Sequence, residues 1–380
     1  MSFSKKYRTA DPYFPKEEIK NILRDYKNIL EGNGFLSMGK NVINFEKEFT
    51  KYIGCKFSNV TASCTGALEL TLKALNISYN DEVIVPCQTF FATASAVIRN
   101  NAIPVFCNVD KNFSIDFQNL KSLVTRKTKA IIVVHFAGLI QENIFEIKKF
   151  CVRNNLFLIE DCAHALGSSI NNIKAGNIGD AGCFSFYSTK NLTTGEGGMI
   201  TSNSLRFSNL VRSLKLRGIK INTSKEIFVN VGTNQRLTEF QAILGLYQLK
   251  RIKSIIKKRN ILAKRYDFNF RKIKILELLD SNIKYNNINS YWRYILRFKK
   301  KINRNSLKKI LKTYGIDIDW PYFPLLHKQP ILKKFYKKSY LNTSELYASK
   351  FICLPMHNNL SLQDIDFISK KLIYILNKNY

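Results

Sequence analysis

The sequence predicts an α/β fold: a mostly parallel central sheet covered by helices, with a smaller α+β domain at the C-terminal end. Three observations carry this. Short β-branched runs alternate with helical stretches from about residue 59 onward, the pattern of successive βα units. Ala130-Ile-Ile-Val-Val-His135 is continuously apolar, as suits a parallel strand buried on both faces. A charge-rich helical stretch, Lys250 to Arg265, marks a hinge that divides the 380 residues into a large domain, 1–250, and a small one, 251–380.

Each element has its own signal. Ile19, Ile22, Leu23, Tyr26, Ile29 and Leu30 recur at helical spacing over 16–31, and Gly32-Asn-Gly34 ends that helix. A second helix is expected near 42–52. A short strand at Asn59-Val-Thr61 turns through Ser63-Cys-Thr65 into a helix over 66–75. Strands follow at 82–86, 103–106, 130–135 and 156–159, with helices at 93–100 and 144–154 between them. Cys183 to Ser188 alternates as a strand, and a helix at 205–214 leads to a basic loop around Arg217-Gly218. One long helix is expected from about Thr238, capped by Thr238 or Asn234, to about Phe270. The last third holds a strand at 291–298 and helices at 306–314 and 362–377. In such folds the ligand lies beyond the carboxyl ends of the strands. The residues after Pro86, Ile159 and Ser188 are therefore the informative ones.

Composition narrows the function. Hydrophobic content of 45% with 23% charged residues belongs to a soluble globular chain. No run of about 18 apolar residues occurs, so no membrane span is expected. Met1 to Lys20 has no apolar signal-peptide stretch. Eight scattered cysteines without a CxxC pair read as reduced thiols of a cytoplasmic protein, not as a metal site. The net charge of +32 invites a nucleic-acid reading. Against it, lysine outnumbers arginine 44 to 16, and residues 251–380 hold 29 basic against 8 acidic side chains. That distribution reads as a solvated lysine coat, whose rim would attract an anionic, diphosphate-bearing substrate. A dedicated nucleic-acid function is disfavoured.

The chemistry centres on Lys190, delivered by the strand at 183–188 into a loop of small residues, Asn191-Leu-Thr-Thr-Gly195-Glu-Gly-Gly198. A desolvated lysine loses its proton more easily and attacks carbonyls, which is the chemistry of a Schiff-base lysine and of pyridoxal 5'-phosphate. A lysine merely packing its stem beside a turn is the alternative. A pyridoxal phosphate site also needs a carboxylate for the ring nitrogen, a flat group over the ring and donors for the phosphate. Asp161 at a strand end, His164 three residues on, and Ser63, Thr65, the Gly66 amide and Ser185 can supply them. Singly, Asp161 could cap a helix, His164 could be a satisfied imidazole and Ser63 a plain N-cap. Their joint occurrence in βα turns is harder to dismiss.

The blocks Glu160-Asp161-x-Ala-His164-Ala-x-Gly167 and Gly179-Asp-Ala-Gly-Cys-Phe-Ser185-Phe-Tyr-x-Thr-Lys190-Asn-Leu-Thr-Thr-Gly195-Glu-Gly-Gly198 closely resemble the DegT/DnrJ/StrS-type sugar aminotransferases. Asp81 to Pro86, Gly232-x-Asn234-x-Arg236-Leu and Leu354-Pro-Met-His357 agree with the same family, and the similarity runs from about residue 10 to the C-terminus. The resemblance implies a type I PLP-dependent (aspartate aminotransferase-like) fold acting as a homodimer with shared active sites. Lys190 would bind the cofactor, Asp161 would face its ring nitrogen and His164 would stack on it. Thr65 and Ser185 would contact its phosphate beside Ser63 and the Gly66 amide already named, Phe90 would border it, and Asn234 would reach the neighbouring subunit's phosphate. Arg236 and His327 would face the substrate. Such enzymes pass an amino group from L-glutamate to a keto group of a nucleotide-linked deoxy sugar in polysaccharide or glycan biosynthesis. The chain departs from the family at Thr233 and across Gly315 to His327, where sugar specificity is expected. Two alternatives stay open: a sugar dehydratase of the same fold, in which the lysine is commonly replaced, and a regulatory or nucleic-acid-binding relative.

Overall fold

The computed structural model describes residues 5–221, 223, 225–279, 287–335 and 341–379. Helices α1 (Lys16–Leu30) and α2 (Lys40–Ile53) precede a seven-stranded sheet. Its members and their connections are β1 (Phe57–Thr61), α3 (Cys64–Ala74), β2 (Glu82–Pro86), α4 (Phe91–Arg99), β3 (Ile103–Cys107), α5 (Phe117–Leu123), β4 (Thr128–Val134), α6 (Ile144–Arg153) and β5 (Phe157–Asp161). A small hairpin, β6 (Ser169–Ile170) and β7 (Ile173–Lys174), leads to β8 (Ala181–Ser185) and β9 (Gly198–Ser202). The spatial order is β1-β9-β8-β5-β4-β2-β3, and β9 alone runs against the others.

Strand alternation sorts side chains to two faces. On β4, Ile131 and Val133 join the core under α2 and α6, while Ala130 and Ile132 join the core under α3, α4 and α7 (Leu205–Lys215). The same alternation sends Glu160 and Phe184 to the first face and Asp161 and Ser185 to the second. Phe184 and Phe186 are fully buried against Phe45 and Phe49 of α2, with ring centroids 5.1–5.7 Å apart. Burial of each such ring contributes roughly 1.5–3 kcal/mol. These rings anchor the end of β8 and hence the start of the lysine loop.

The rest of the chain is helical, with a small antiparallel sheet. Helices α8 (Glu239–Lys250) and α9 (Ile252–Phe270) are followed by β10 (Leu276–Glu277), β11 (Asn287–Ile288), β12 (Tyr294–Phe298), α10 (Arg304–Lys312), α11 (Asn342–Ser349), β13 (Phe351–Leu354) and α12 (Leu362–Asn379). Strands β10, β12 and β13 pair in that order, and their core includes α9, α10 and α12. Tyr7 joins this core and bridges to Ile316, so the start of the chain packs with its end.

The structure corrects three expectations. The single long helix is two, because Arg251 leaves helical geometry (φ −106°, ψ 9°) while its guanidinium is held by Glu18 at 2.6 and 2.9 Å. The strand carrying the lysine ends at Ser185, not Ser188: the Phe186 N–H bonds Gly197 and its carbonyl accepts from Thr194, which closes a loop. The strand expected from Tyr291 starts at Tyr294, because Tyr291 adopts φ 47° and turns the chain. Thr238 is the cap of α8, in a reciprocal capping box with Gln241.

Candidate active site

A cavity of about 300 Å³ opens at the carboxyl ends of β1, β2, β4, β5 and β8. Lys190, Asp161, His164, Ser63, Thr65, Ser185 and Phe90 all line it. Six of these seven come from short turns after strands or from a strand's last residue, as the fold dictates. Lys190 is half-buried in its loop, its backbone N–H donating to the Tyr187 carbonyl at 2.9 Å. Desolvation lowers its pKa to about 8, helped by Arg293 and opposed by Cys64 and Asp161. At pH 7 roughly a tenth of such lysines carry a free amine, against about three in ten thousand at the ordinary value. Burial holds the neighbouring Cys64 thiol well above its usual range, so the lysine is the cavity's available nucleophile.

Asp161 is fixed twice. One carboxylate oxygen accepts from Thr93 Oγ1 at 2.9 Å and the other from the Ala163 N–H at 3.1 Å. Burial raises its pKa, while those hydrogen bonds and Lys190 oppose the rise. A buried carboxylate held this way is built to meet a cation. Its neighbour Glu160, on the other face of the sheet, has a different task. It accepts from His135 at 3.0 Å and from the backbone of Gly176, Ile178 and Gly179 at 2.7–2.9 Å. Burial alone would raise its pKa, but the His135 contact and those amides bring it below the ordinary value. His135, Glu160 and Cys162 cluster closely, yet the Glu160 oxygens and both His135 nitrogens are spent on hydrogen bonds, the second nitrogen accepting from the Gln141 N–H. The cluster is structural.

The other wall comes from beyond residue 290. Trp292 donates through Nε1 to the Thr189 carbonyl at 2.9 Å and stacks on His164, with centroids 3.8 Å apart and planes within 4°. Lys190 Nζ lies 4.5 Å from the Trp292 ring centroid. His164 accepts the Ala137 N–H at Nδ1 (3.3 Å), and its Nε2 lies 2.8 Å from the Tyr322 hydroxyl. Burial, Lys190 and Arg293 push the imidazole pKa well down, so His164 is neutral. Arg293 pairs with Asp319 at 3.3 Å and stacks on Trp292. Sequence reasoning missed Trp292, Arg293, Tyr322, Thr93 and Thr89. For Thr93 the signal was present, because it lies just past β2 at the start of α4, where its hydroxyl meets that of Thr89 at 3.0 Å.

Four expected site residues, Gly66, Asn234, Arg236 and His327, do not line this cavity. The Gly66 N–H donates to Ser63 Oγ at 3.0 Å, so the amide and the Ser63 hydroxyl form the cap of α3. Gly66 is itself covered: an added Cβ would lie 2.2 Å from the Gln235 side chain. Asn234 is exposed and accepts from Arg236 Nε at 2.7 Å, outside this cavity. His327 is the clearest departure. Its side chain is fully buried and bonds Glu345 at 2.8 Å, with no face on the cavity. The short turn at 326–328 packs its neighbour Leu326 into the core and turns the imidazole toward α11.

A model of the DegT/DnrJ/EryC1/StrS aminotransferase family matches residues 16–373. The chain is 32% identical over 337 residues to the GDP-perosamine synthase of Vibrio cholerae, covering 87% of this chain and 90% of that one. It shares its fold with Helicobacter pylori PseC, an aminotransferase involved in the biosynthesis of pseudoaminic acid, at a TM-score of 0.91 and 28% identity over 98% of this chain and 100% of that one. Spr1654 from Streptococcus pneumoniae, solved in its PLP form, superposes at 0.89 with 26% identity, over 98% and 99% of the two chains.

Proposed function

The chain belongs to the DegT/DnrJ/EryC1/StrS aminotransferase family, and on that premise we propose that it moves an amino group from L-glutamate to the keto group of a nucleotide-linked (dTDP, UDP or GDP) deoxy sugar. Its cofactor is pyridoxal 5'-phosphate, which supplies an electron-withdrawing ring that stabilises charge at the carbon being aminated. One observation carries the reading: a depressed-pKa lysine and a pinned, buried carboxylate share one cavity with the hydroxyls of Ser63, Thr65 and Ser185. That donor set fits the group, since it offers an amine for the aldehyde, an anion for the ring nitrogen and hydroxyls for the phosphate.

In this reading Lys190 would hold the cofactor through its amine and, when free, would carry a proton as general base and acid. Asp161, held by Thr93 and Ala163, would face the ring nitrogen and favour its protonated form. His164, backed by Trp292, supplies a flat neutral face, and Phe90 borders the ring. The retained lysine disfavours a dehydratase.

A homodimer completes the proposal. Large apolar side chains stand exposed near the start of α2 and in the loop before α8, with Phe35 at 77% and Val231 at 83% exposure, alongside Leu36 and Val229. Asn234 and Arg236 belong to this surface, where Asn234 reaches the partner's phosphate and Arg236 serves the substrate's diphosphate. We set the boundary between the cofactor-binding unit, 1–250, and the smaller one, 251–380, at the helix break at Arg251, with Ile252, Ile255 and Ile256 of α9 still packed in the larger core. No helix among the described residues is long and apolar enough to cross a membrane, and we place the enzyme in the cytoplasm, where nucleotide sugars are made.

The test is a panel of nucleotide-linked 3- and 4-keto sugars given to the cofactor-loaded protein with glutamate. Release of 2-oxoglutarate together with an aminated sugar supports the reading. Loss of the cofactor's visible band with glutamate, but no amination of any sugar, would remove the sugar as acceptor.

A further inference from the structure

The hydrogen-bond arithmetic around His164 leaves one donor over. The Ala137 N–H points at Nδ1, so that nitrogen accepts and cannot carry a proton. The imidazole is neutral, so its single proton sits on Nε2 and is donated to the Tyr322 hydroxyl oxygen at 2.8 Å. Tyr322 therefore accepts from His164, and its own O–H must go elsewhere. Among the described residues it has no second hydrogen-bond partner, and Tyr322 lines the cavity. Tyr322 is half-buried, and a phenol at a cavity wall commonly spends its O–H on a ligand oxygen.

The ring is not free to swing. Its plane lies within 4° of the His164 plane, and it packs against Phe136 and Phe90 at 5.7 and 5.8 Å. The backbone at Tyr322 sits at φ 65°, a conformation that fixes the side chain's approach, and the Arg293–Asp319 pair ties down the same segment three residues earlier.

We propose that Tyr322 is a specificity-determining residue of this enzyme, oriented by His164 so that its hydroxyl donates to an oxygen of the acceptor sugar. This rests on the sugar-aminotransferase reading above, and it adds what that reading lacks: the residue that distinguishes a sugar from the amino-acid donor. Glutamate and the sugar use the same cavity in turn. A phenol O–H suits a hydroxyl or keto oxygen, and as a neutral donor it adds no charge to attract a second carboxylate.

The experiment compares wild type with Tyr322→Phe, both cofactor-loaded, in three measurements. The first is affinity for GDP-, UDP- and dTDP-linked 4-keto sugars against that for the matching nucleoside diphosphates alone. The second is KM and kcat for whichever sugar turns over, and the third is the glutamate half-reaction followed by the visible band. The expected result is a sugar KM raised about tenfold with kcat within about threefold, the loss appearing for sugar-bearing ligands and not for the bare diphosphates. An equal loss in both half-reactions would reduce Tyr322 to a support for His164 and overturn the proposal. Unchanged sugar affinity in Tyr322→Phe would overturn it too. If wild type binds no sugar more tightly than its diphosphate, the assignment fails even when glutamate still bleaches the band. If glutamate has no effect on the band, the aminotransferase reading itself has failed.

Discussion

Two regions meet at one cavity and are built on different principles. The wall from Ser63 to Lys190 stands on the sheet: its residues occupy strand ends or the turns just after them, and backbone ladders hold them. The wall from Trp292 to Tyr322 stands on no strand of that sheet. It is held by side-chain contacts, namely the indole on Thr189 and His164, the Arg293–Asp319 pair and the phenol on His164. Fixed geometry suits the groups proposed to hold the cofactor, while a wall built of side chains can change with the substrate at little cost to the fold. The contrast predicts that substitutions in the first wall cost far more in kcat than those in the second.

The largest effect belongs to Lys190→Ala. Removal of the amine abolishes both covalent attachment and proton transfer, so turnover falls by at least about 10²–10⁴, and the visible band is lost from the spectrum. Asp161→Asn comes next. It keeps the shape and the Ala163 contact but removes the charge, and kcat falls by on the order of 10²–10³ with the fold intact by circular dichroism. A second-wall substitution that matched these losses in kcat would break the distinction between the walls.

How far each wall could be read beforehand follows from the same physics. Strand periodicity located the sheet, and the rule that ligands lie past strand ends pointed to Asp161, Ser185 and Lys190, because those positions are local consequences of the pleat. The motif around Lys190 named the family from sequence. Tyr322 and Trp292 were invisible for a physical reason: each reaches the cavity through a backbone turn at or beside it, φ 65° at Tyr322 and φ 47° at Tyr291. Neither residue type announces such a turn. A histidine near the expected substrate segment reads as functional, and in the structure the chain there packs His327 against Glu345 of α11. The break at Arg251 was equally silent, since it depends on Glu18, more than two hundred residues away.

Trp292→Leu gives a smaller effect that sharpens the contrast. The indole face stabilises the Lys190 ammonium by roughly 0.5–2 kcal/mol, and leucine does not replace it. Because the lysine pKa is already depressed to about 8, capture of the aldehyde by cofactor-free protein rises with pH through about 8 and levels off above it, where the amine is free. In Trp292→Leu the midpoint moves down by about half to one unit, so capture at pH 7 becomes faster. The loosened His164 face meanwhile lowers kcat by about tenfold. The pH dependence of cofactor uptake, followed by absorbance, measures the first effect apart from the second.

The smallest effect is expected at His327, and it tests the boundary of the second wall. The side chain is buried against Glu345, whose carboxylate also takes Lys328 at 2.8 Å. Burial lowers the His327 pKa, against the pull of Glu345, so the ring is largely neutral near pH 7 and donates one hydrogen bond. Gln replaces that donor at similar reach, so His327→Gln leaves KM for the sugar and kcat within about twofold and costs about 1 kcal/mol of stability, read as a small fall in Tm. If instead the KM for the sugar rose as far as it does in Tyr322→Phe, the turn at 326–328 would have to open toward the cavity during catalysis. The second wall would then be a moving part, and its separation from the sheet-borne wall would be dynamic as well as architectural.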